Sequence, residues 1–230
     1  MELLIGDCIT LMQRIEDDSV DMVFADLPYL KTPAAKWDMP IDLGELWAGL
    51  RRICKPSAPM LFTAVTPFNA HLMMSNLGEF RYDWVWEKNR GGGGINAAYQ
   101  PIRVHEHILV FYRKRGTYNP QKTYGHSNYG GFRADDKNLG EIYGNLKSTH
   151  KGSSDGSRYP RTVQKWDMER GYHPVQKPVT MMEYLVKTYS NPNDTIFDPT
   201  MGSGSMGVAC LNLGRNFIGS ELDPKHYKTA

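Results

Sequence analysis

Asp26-Leu27-Pro28-Tyr29 follows directly on the apolar run Val20 to Ala25, so a carboxylate, a rigid turn and an aromatic ring stand together at the end of a buried strand. As a bare tetrapeptide this also fits an ordinary strand-ending turn with a packed tyrosine. A second stretch, Asp198-Pro199-Thr200-Met201-Gly202-Ser203-Gly204-Ser205-Met206-Gly207, follows a strand expected at Thr195 to Phe197 and opens a helix. Its Gly202, Gly204 and Gly207 match the G-x-G-x-x-G spacing, in which glycines permit a tight turn and let a ligand approach the backbone closely. Glu221 lies nineteen residues after Gly202, at the end of the next strand, where a carboxylate can accept hydrogen bonds from both hydroxyls of a ribose. Together these favour an adenosine-containing cofactor. Asp198 narrows the choice, because like charges repel beside a pyrophosphate whereas an ammonium or sulfonium group is attracted. S-adenosylmethionine meets that description. A nicotinamide dehydrogenase does so less well, since its glycine unit normally opens the fold rather than following the other strands.

These groups need a scaffold, and short apolar runs alternating with amphipathic stretches supply one. Leu3 to Ile5, Val20 to Ala25, Met60 to Val65, Trp84 to Trp86 and Ile108 to Tyr112 read as strands. Helical spacing falls near 8–16, 42–54 and 67–78, and again from Pro178 to Tyr189 and over 205–213. A last strand is expected at Asn216 to Gly219. This is the alternation of a mostly parallel, doubly wound α/β sheet covered by helices. The strand ending in Glu221 and the helix after it lead naturally into Leu3 to Asp7, so the two ends of the sequence should meet and bring Asp7 beside the cofactor adenine. Asp7 is equally placed to cap the helix that begins at residue 8.

The periodicity dissolves between residues 115 and 172, which divides the chain into 1–114, 115–172 and 173–230. The middle segment holds ten Lys/Arg against six Asp/Glu, a surplus of four in a chain whose net charge is only +2, so the rest of the protein is slightly acidic. Six tyrosines, Phe132 and Trp166 are interleaved with those charges. That mixture suits phosphate and base contacts and equally suits a solvated loop. Cys8, Cys54 and Cys210 are far apart with no C-x-x-C pair, which argues against a disulfide framework or structural zinc and for a reducing compartment. With no run of about 18 apolar residues, a cytoplasmic protein without membrane contact is expected.

The residues match a family at several points. Asp26-Leu27-Pro28-Tyr29 resembles the Asp-Pro-Pro-Tyr motif of amino-group DNA methyltransferases, and Phe197 to Gly204 resembles their cofactor-binding glycine motif. His173-Pro174-Val175-Gln176-Lys177-Pro178 is similar to the segment preceding that motif in the permuted β group, where the catalytic motif comes first. Gly6-Asp7-Cys8 and Arg103 to Val110 also look like family segments. The resemblance implies a circularly permuted, Rossmann-like S-adenosylmethionine-dependent methyltransferase fold with an inserted recognition lobe. It implies a catalytic set of Asp26, Leu27, Pro28 and Tyr29. The cofactor set it implies is Asp7, Cys8, Asp26, His173, Gln176, Lys177, Asp198, Thr200, Gly202, Gly204, Ser205, Glu221 and Leu222. Two positions depart from the pattern: Leu27 replaces a proline, keeping the carbonyl but giving up the fixed φ and adding an N–H, and Thr200 stands where the family often has an aromatic.

The chemistry such a site must do is clear. An exocyclic base amine is a poor nucleophile because its lone pair is delocalised into the ring. Acceptors on its two N–H groups, the Asp26 carboxylate and the Leu27 carbonyl, favour a pyramidal nitrogen that attacks the sulfonium methyl in line. Tyr29 offers a face for a base that has left the duplex, a stacking contact worth roughly 1–3 kcal/mol against a flipping cost of a few kcal/mol. The expected function is therefore methylation of N6 of adenine in double-stranded DNA, with N4 of cytosine, a catalytically silent DNA-binding relative and a nicotinamide oxidoreductase as descending alternatives. DNA contacts are expected at Lys31, Lys36, Lys88, Arg90, Arg133, Arg158 and Arg161, and Gly91 to Gly94, preceded by Lys88 and Arg90, read equally as a mobile loop closing over the flipped nucleotide or contacting phosphate and as a plain flexible connection. His105 and His107 share one strand face without a cysteine or further acid, so no metal is expected. The H-x-E with P-C-x-x-C signature of zinc base deaminases is missing. Enzymes similar in these motifs are often dimers, which leaves a homodimer open.

Overall fold

Among the described residues of the computed structural model, 1–29, 39–127, 155–169 and 176–230, eight strands form one sheet. In chain order they are β1 (Glu2–Ile5), β2 (Met22–Ala25), β3 (Met60–Ala64), β4 (Phe80–Gly92), β5 (Arg103–Phe111), β6 (Val163–Trp166), β7 (Thr195–Asp198) and β8 (Asn216–Glu221). Across the sheet the order is β1-β8-β7-β2-β3-β5-β4-β6. Only β5 runs antiparallel to its neighbours, so the sheet is mostly parallel, as expected. Six α-helices accompany it among the described residues: α1 (Cys8–Met12), α2 (Leu43–Ile53), α3 (Phe68–Ser75), α4 (Val179–Tyr189), α5 (Ser205–Asn212) and α6 (Pro224–Thr229).

β2 shows why the sequence demands helices on both faces. All four of its residues are buried, and they alternate between two cores. Val23 and Ala25 join the cluster under α2, while Met22 and Phe24 join the cluster under α4 and α5. A strand buried on both sides reads as a continuous apolar run, which is what residues 22–25 are. On α2 the buried residues Leu46, Trp47, Leu50 and Ile53 recur at helical spacing, and Asp42 starts the helix by accepting the Glu45 amide at 2.9 Å. Trp47 meets Phe62 and Phe111 at 5.1 and 5.0 Å between ring centres. Truncating a side chain such as fully buried Leu50 to alanine would cost about 2–5 kcal/mol.

The strand order reverses its direction of travel between β2 and β7. From β2 the chain crosses to β3 on one side, and from β7 it crosses to β8 on the other, so the neighbours β2 and β7 flank a crevice beyond their carboxyl ends. Ligands of open α/β sheets bind at such switch points. The ends of the sequence meet there as expected: Ile5 pairs in register with Glu221, the Gly6 amide donates to the Glu221 carbonyl at 2.9 Å, and the Tyr227 hydroxyl donates to the Leu3 carbonyl at 3.3 Å.

Three expectations change. β4 and β5 form a hairpin far longer than the two short strands read from the sequence, and Gly91 and Gly92 extend β4 instead of forming a loose connection. Gly91 is there for space, because a Cβ would lie 2.0 Å from Ile102 Cγ2. Residues 163–166, placed in the irregular segment, instead form β6 and pair with β4, with the Trp166 carbonyl accepting from Trp86 Nε1 at 2.8 Å. The chain accordingly divides into one compact unit of Met1–Asn119 with Thr162–Ala230 and a second, Pro120–Arg161. Within the second unit Thr123 and Arg158 form an isolated antiparallel bridge, and Lys122 lies 4.5 Å over the Tyr159 ring. Among the described residues no helix is long and apolar enough to cross a membrane.

Candidate active site

Asp198 is the last residue of β7 and Asp26 follows the last residue of β2, so adjacent parallel strands deliver two carboxylates to one crevice. The cleft is lined by Asp7, Cys8, Asp26, Pro28, Gln176, Lys177, Asp198, Thr200, Gly202, Ser205, Glu221 and Leu222, all expected from the sequence. Phe24, Met39, Ile41, Met201, Met206 and His226 complete much of the wall and were not anticipated. All but His226 are apolar and carry no site signature, so only the fold could assign them. His173, Lys31, Lys36 and Arg133 lie outside the described residues.

The two ends of the cleft differ in electrostatics. At the glycine turn, Glu221 Oε2 accepts the Gly202 amide at 3.0 Å and Oε1 accepts the Asp223 amide at 2.8 Å. Gly204, with φ near +81°, precedes α5 in a left-handed conformation that suits glycine, and a Cβ there would lie 3.1 Å from Ala230 Cβ. Asp198 is buried and accepts the Thr200 amide at 3.0 Å. Burial, with Asp26 and Glu221 nearby, pushes the Asp198 carboxyl well above its ordinary value. Thr200 has a buried hydroxyl with no hydrogen-bond partner among the described residues. Burial and the neighbouring Asp7 push the Cys8 thiol up to about 12, so it lines the wall as a neutral, unreactive group. Asp7 also accepts the Thr10 amide at 2.9 Å, so it caps α1 and lines the cleft at once.

At the other end Asp26 is held from three sides. Its Oδ1 accepts the Tyr29 hydroxyl at 2.7 Å and the Thr63 hydroxyl, and its Oδ2 accepts the Lys177 ammonium. Burial would raise this carboxyl, but Lys177 and the two hydroxyls outweigh it and hold the group below the usual carboxylate range. Burial works against the Lys177 charge in the same way, and Asp26 with Glu106 reverses it. Glu106 Oε2 stands 3.7 Å from Lys177 Nζ, and Glu106 Oε1 accepts the Lys88 ammonium. Leu27 is buried in the core under α2, and the Tyr29 ring packs 5.3 Å from Phe68.

Several expected roles therefore look different in space. Lys177, expected only at the cofactor, has its ammonium on Asp26. Lys88, expected at DNA, is turned inward, with 15% of its side chain exposed and its charge on Glu106. Arg90 and Arg161 are exposed, and Arg158 donates to the carbonyls of Ser157 and Ser127. Thr63 and Glu106 are the polar groups that the sequence reading missed. Glu106 had stood out only as a residue between two histidines, and His107 is taken up by Asp83 at 2.8 Å.

A model of the DNA methylase family matches residues 20–230. The chain belongs to that family. Among similar DNA methylases, the type II methyltransferase M1.MboII of Moraxella bovis is 24% identical over 97% of this chain and 92% of its own length. The DNA adenine methyltransferase YhdJ of Escherichia coli is 29% identical, covering 97% of this chain and 79% of its own. Among solved structures, the M1.HpyAVI–SAM complex superposes with a TM-score of 0.67 at 22% identity, over all of this chain and 97% of that one. The cytosine-N4-specific PvuII DNA methyltransferase gives 0.70 at 12% identity, over 99% and 83%. These two likenesses concern the fold, and the methylase fold is what carries the cleft between β2 and β7.

Proposed function

We propose that this DNA methylase transfers a methyl group from S-adenosylmethionine to N6 of adenine in double-stranded DNA. One observation carries the reading: a carboxylate suited to an exocyclic amine, Asp26, and an acidic pocket suited to a cationic nucleoside, Asp198 with Glu221, line the same cleft. Four carboxylates, Asp7, Asp26, Asp198 and Glu221, line it against Lys177 and His226, a balance that favours a cation. The unpartnered Thr200 hydroxyl adds a polar group to the same wall. Glu221 would hold the ribose, Asp7 the adenine side, and Asp198 with Gly202 and Ser205 the remainder. When bound, this cofactor supplies an electrophilic methyl group.

The chain's own residues do the rest. Asp26 accepts an N–H of the target amine and stabilises the positive charge that grows on nitrogen during attack. Tyr29 fixes the carboxylate through its hydroxyl and borders the place where an extrahelical base would enter. Proton loss from nitrogen follows transfer, and no covalent enzyme intermediate is needed. Adenine is favoured because the motif begins with aspartate and because YhdJ, by its name, acts on adenine. Arg90, Arg158 and Arg161 are assigned to phosphate contacts, and the segment around 115–172 to target recognition.

The test is incubation with labelled S-adenosylmethionine and unmethylated genomic DNA, followed by digestion to nucleosides and mass identification. N6-methyladenine is expected. N4-methylcytosine would correct the base, and an absence of labelled base would overturn the function.

A further inference from the structure

Glu106 carries a buried carboxylate oxygen, Oε2, with no hydrogen-bond partner among the described residues. A buried acceptor left in that state is unfavourable. Yet Lys177 Nζ stands only 3.7 Å away, about 1 Å beyond the usual charge-assisted hydrogen bond. Asp26 is in the opposite condition. Tyr29 and Thr63 occupy Oδ1 and Lys177 occupies Oδ2, so three of its roughly four acceptor positions are filled. One lysine therefore lies between a crowded carboxylate and a carboxylate with a vacant oxygen.

We infer that Glu106 is a positioning residue that takes over the Lys177 ammonium when the target amine enters, freeing Oδ2 of Asp26 to accept an amine N–H. The inference rests on the reading of Asp26 as the acceptor of that amine. Charge gives the reason for the exchange. Attack places positive charge on the amine nitrogen, and an ammonium on Oδ2 both neutralises Asp26 and repels that charge. With Lys177 on Glu106, Asp26 presents an uncompensated anion where positive charge develops. Lys177 stays paired throughout, so its own buried charge is never stranded. Lys88 holds Glu106 by its other oxygen and keeps the receiving carboxylate in place.

The experiment uses Glu106→Gln, Lys177→Met and the double variant, with folding checked by thermal melting and cofactor affinity by calorimetry. Glu106→Gln should keep cofactor affinity within about twofold while lowering kcat at least about tenfold, a fraction of what removing a precisely placed polar group costs. In the Lys177→Met background the same change should cost nothing further, because Glu106 acts through Lys177. Binding gives a second readout, using a duplex with the mapped target base and one in which that base lacks its exocyclic amine. The wild type should discriminate between them, and Glu106→Gln should lose that discrimination. Should Glu106→Gln fail to fold, Glu106→Asp keeps the charge but draws it back from Lys177, and the same losses are expected. Wild-type kcat and discrimination in the variant, or equal losses in both lysine backgrounds, would overturn the inference. A wild-type protein that methylates no DNA would instead overturn the function on which it rests.

Discussion

The Glu221 carboxylate accepts the Gly202 amide at 3.0 Å, which joins the acid at the end of β8 to the glycine turn after β7. One hydrogen bond thus holds both halves of the expected ribose site in register. Glu221→Gln retains the size of the side chain but removes its charge and replaces one acceptor oxygen with an NH2 group. It should weaken S-adenosylmethionine binding by about 10- to 100-fold, the scale of a hydrogen bond to a charged group. Calorimetric titration measures this, and an unchanged affinity would remove Glu221 from the cofactor site.

Asp198 makes the cleft sensitive to pH. Its carboxyl is raised above 3.8 by burial, with Asp26 and Glu221 adding to the effect. The folded chain therefore holds a proton that the unfolded chain loses, and its burial lowers stability progressively as pH rises from 3.8 toward the raised value. A cation in the cleft favours the ionised form, so S-adenosylmethionine should bind more tightly as pH rises through that range and should release a proton. Titrations in buffers of different ionisation enthalpy would detect the release. Asp198→Asn should melt a few degrees higher at neutral pH and bind the cofactor poorly. Asp26 has the opposite sign, because its carboxyl lies below 3.8: it stabilises the fold above that value and loses the contribution as pH falls further.

Tyr29 has two separable parts. Its hydroxyl donates to Asp26 at 2.7 Å, and its ring stands against Phe68. Tyr29→Phe should lower kcat by about 10- to 100-fold through looser aim of the carboxylate, the size of one hydrogen bond to a charged group. Tyr29→Ala should lose about 10- to 100-fold more, the value of one stacked base. Equal effects of the two changes on steady-state kinetics would mean that the ring takes no part in holding the base.

Much of this arrangement was legible because it is encoded locally. Met22 to Ala25 is an apolar run ended by Asp26, and Thr195 to Gly204 is a strand followed by a glycine turn, so chemistry and scaffold share one stretch of chain. The hairpin of β4 and β5 was legible only in part. Arg81, Asp83, Glu87 and Lys88 interrupt the apolar pattern of β4, although the strand is sustained by pairing with β5. Strand β6 was hidden because Val163 to Trp166 is short, half-exposed and flanked by polar residues. The Lys177–Asp26 pair spans 151 positions, and no periodicity encodes a contact made by bringing β2 and the start of α4 to one crevice. For the same reason Glu106 could be noticed as a residue but not as a partner.

The central claim is that Asp26 receives the target amine while a separate part of the same cleft holds the methyl donor. Asp26→Ala tests it most directly, with methyl transfer to DNA and S-adenosylmethionine affinity measured on the same preparation. Glu106 remains within reach of Lys177, so the variant should stay folded. Transfer should fall by about 10²- to 10³-fold while the cofactor still binds. Methylation at the wild-type rate by a folded Asp26→Ala protein would contradict the account.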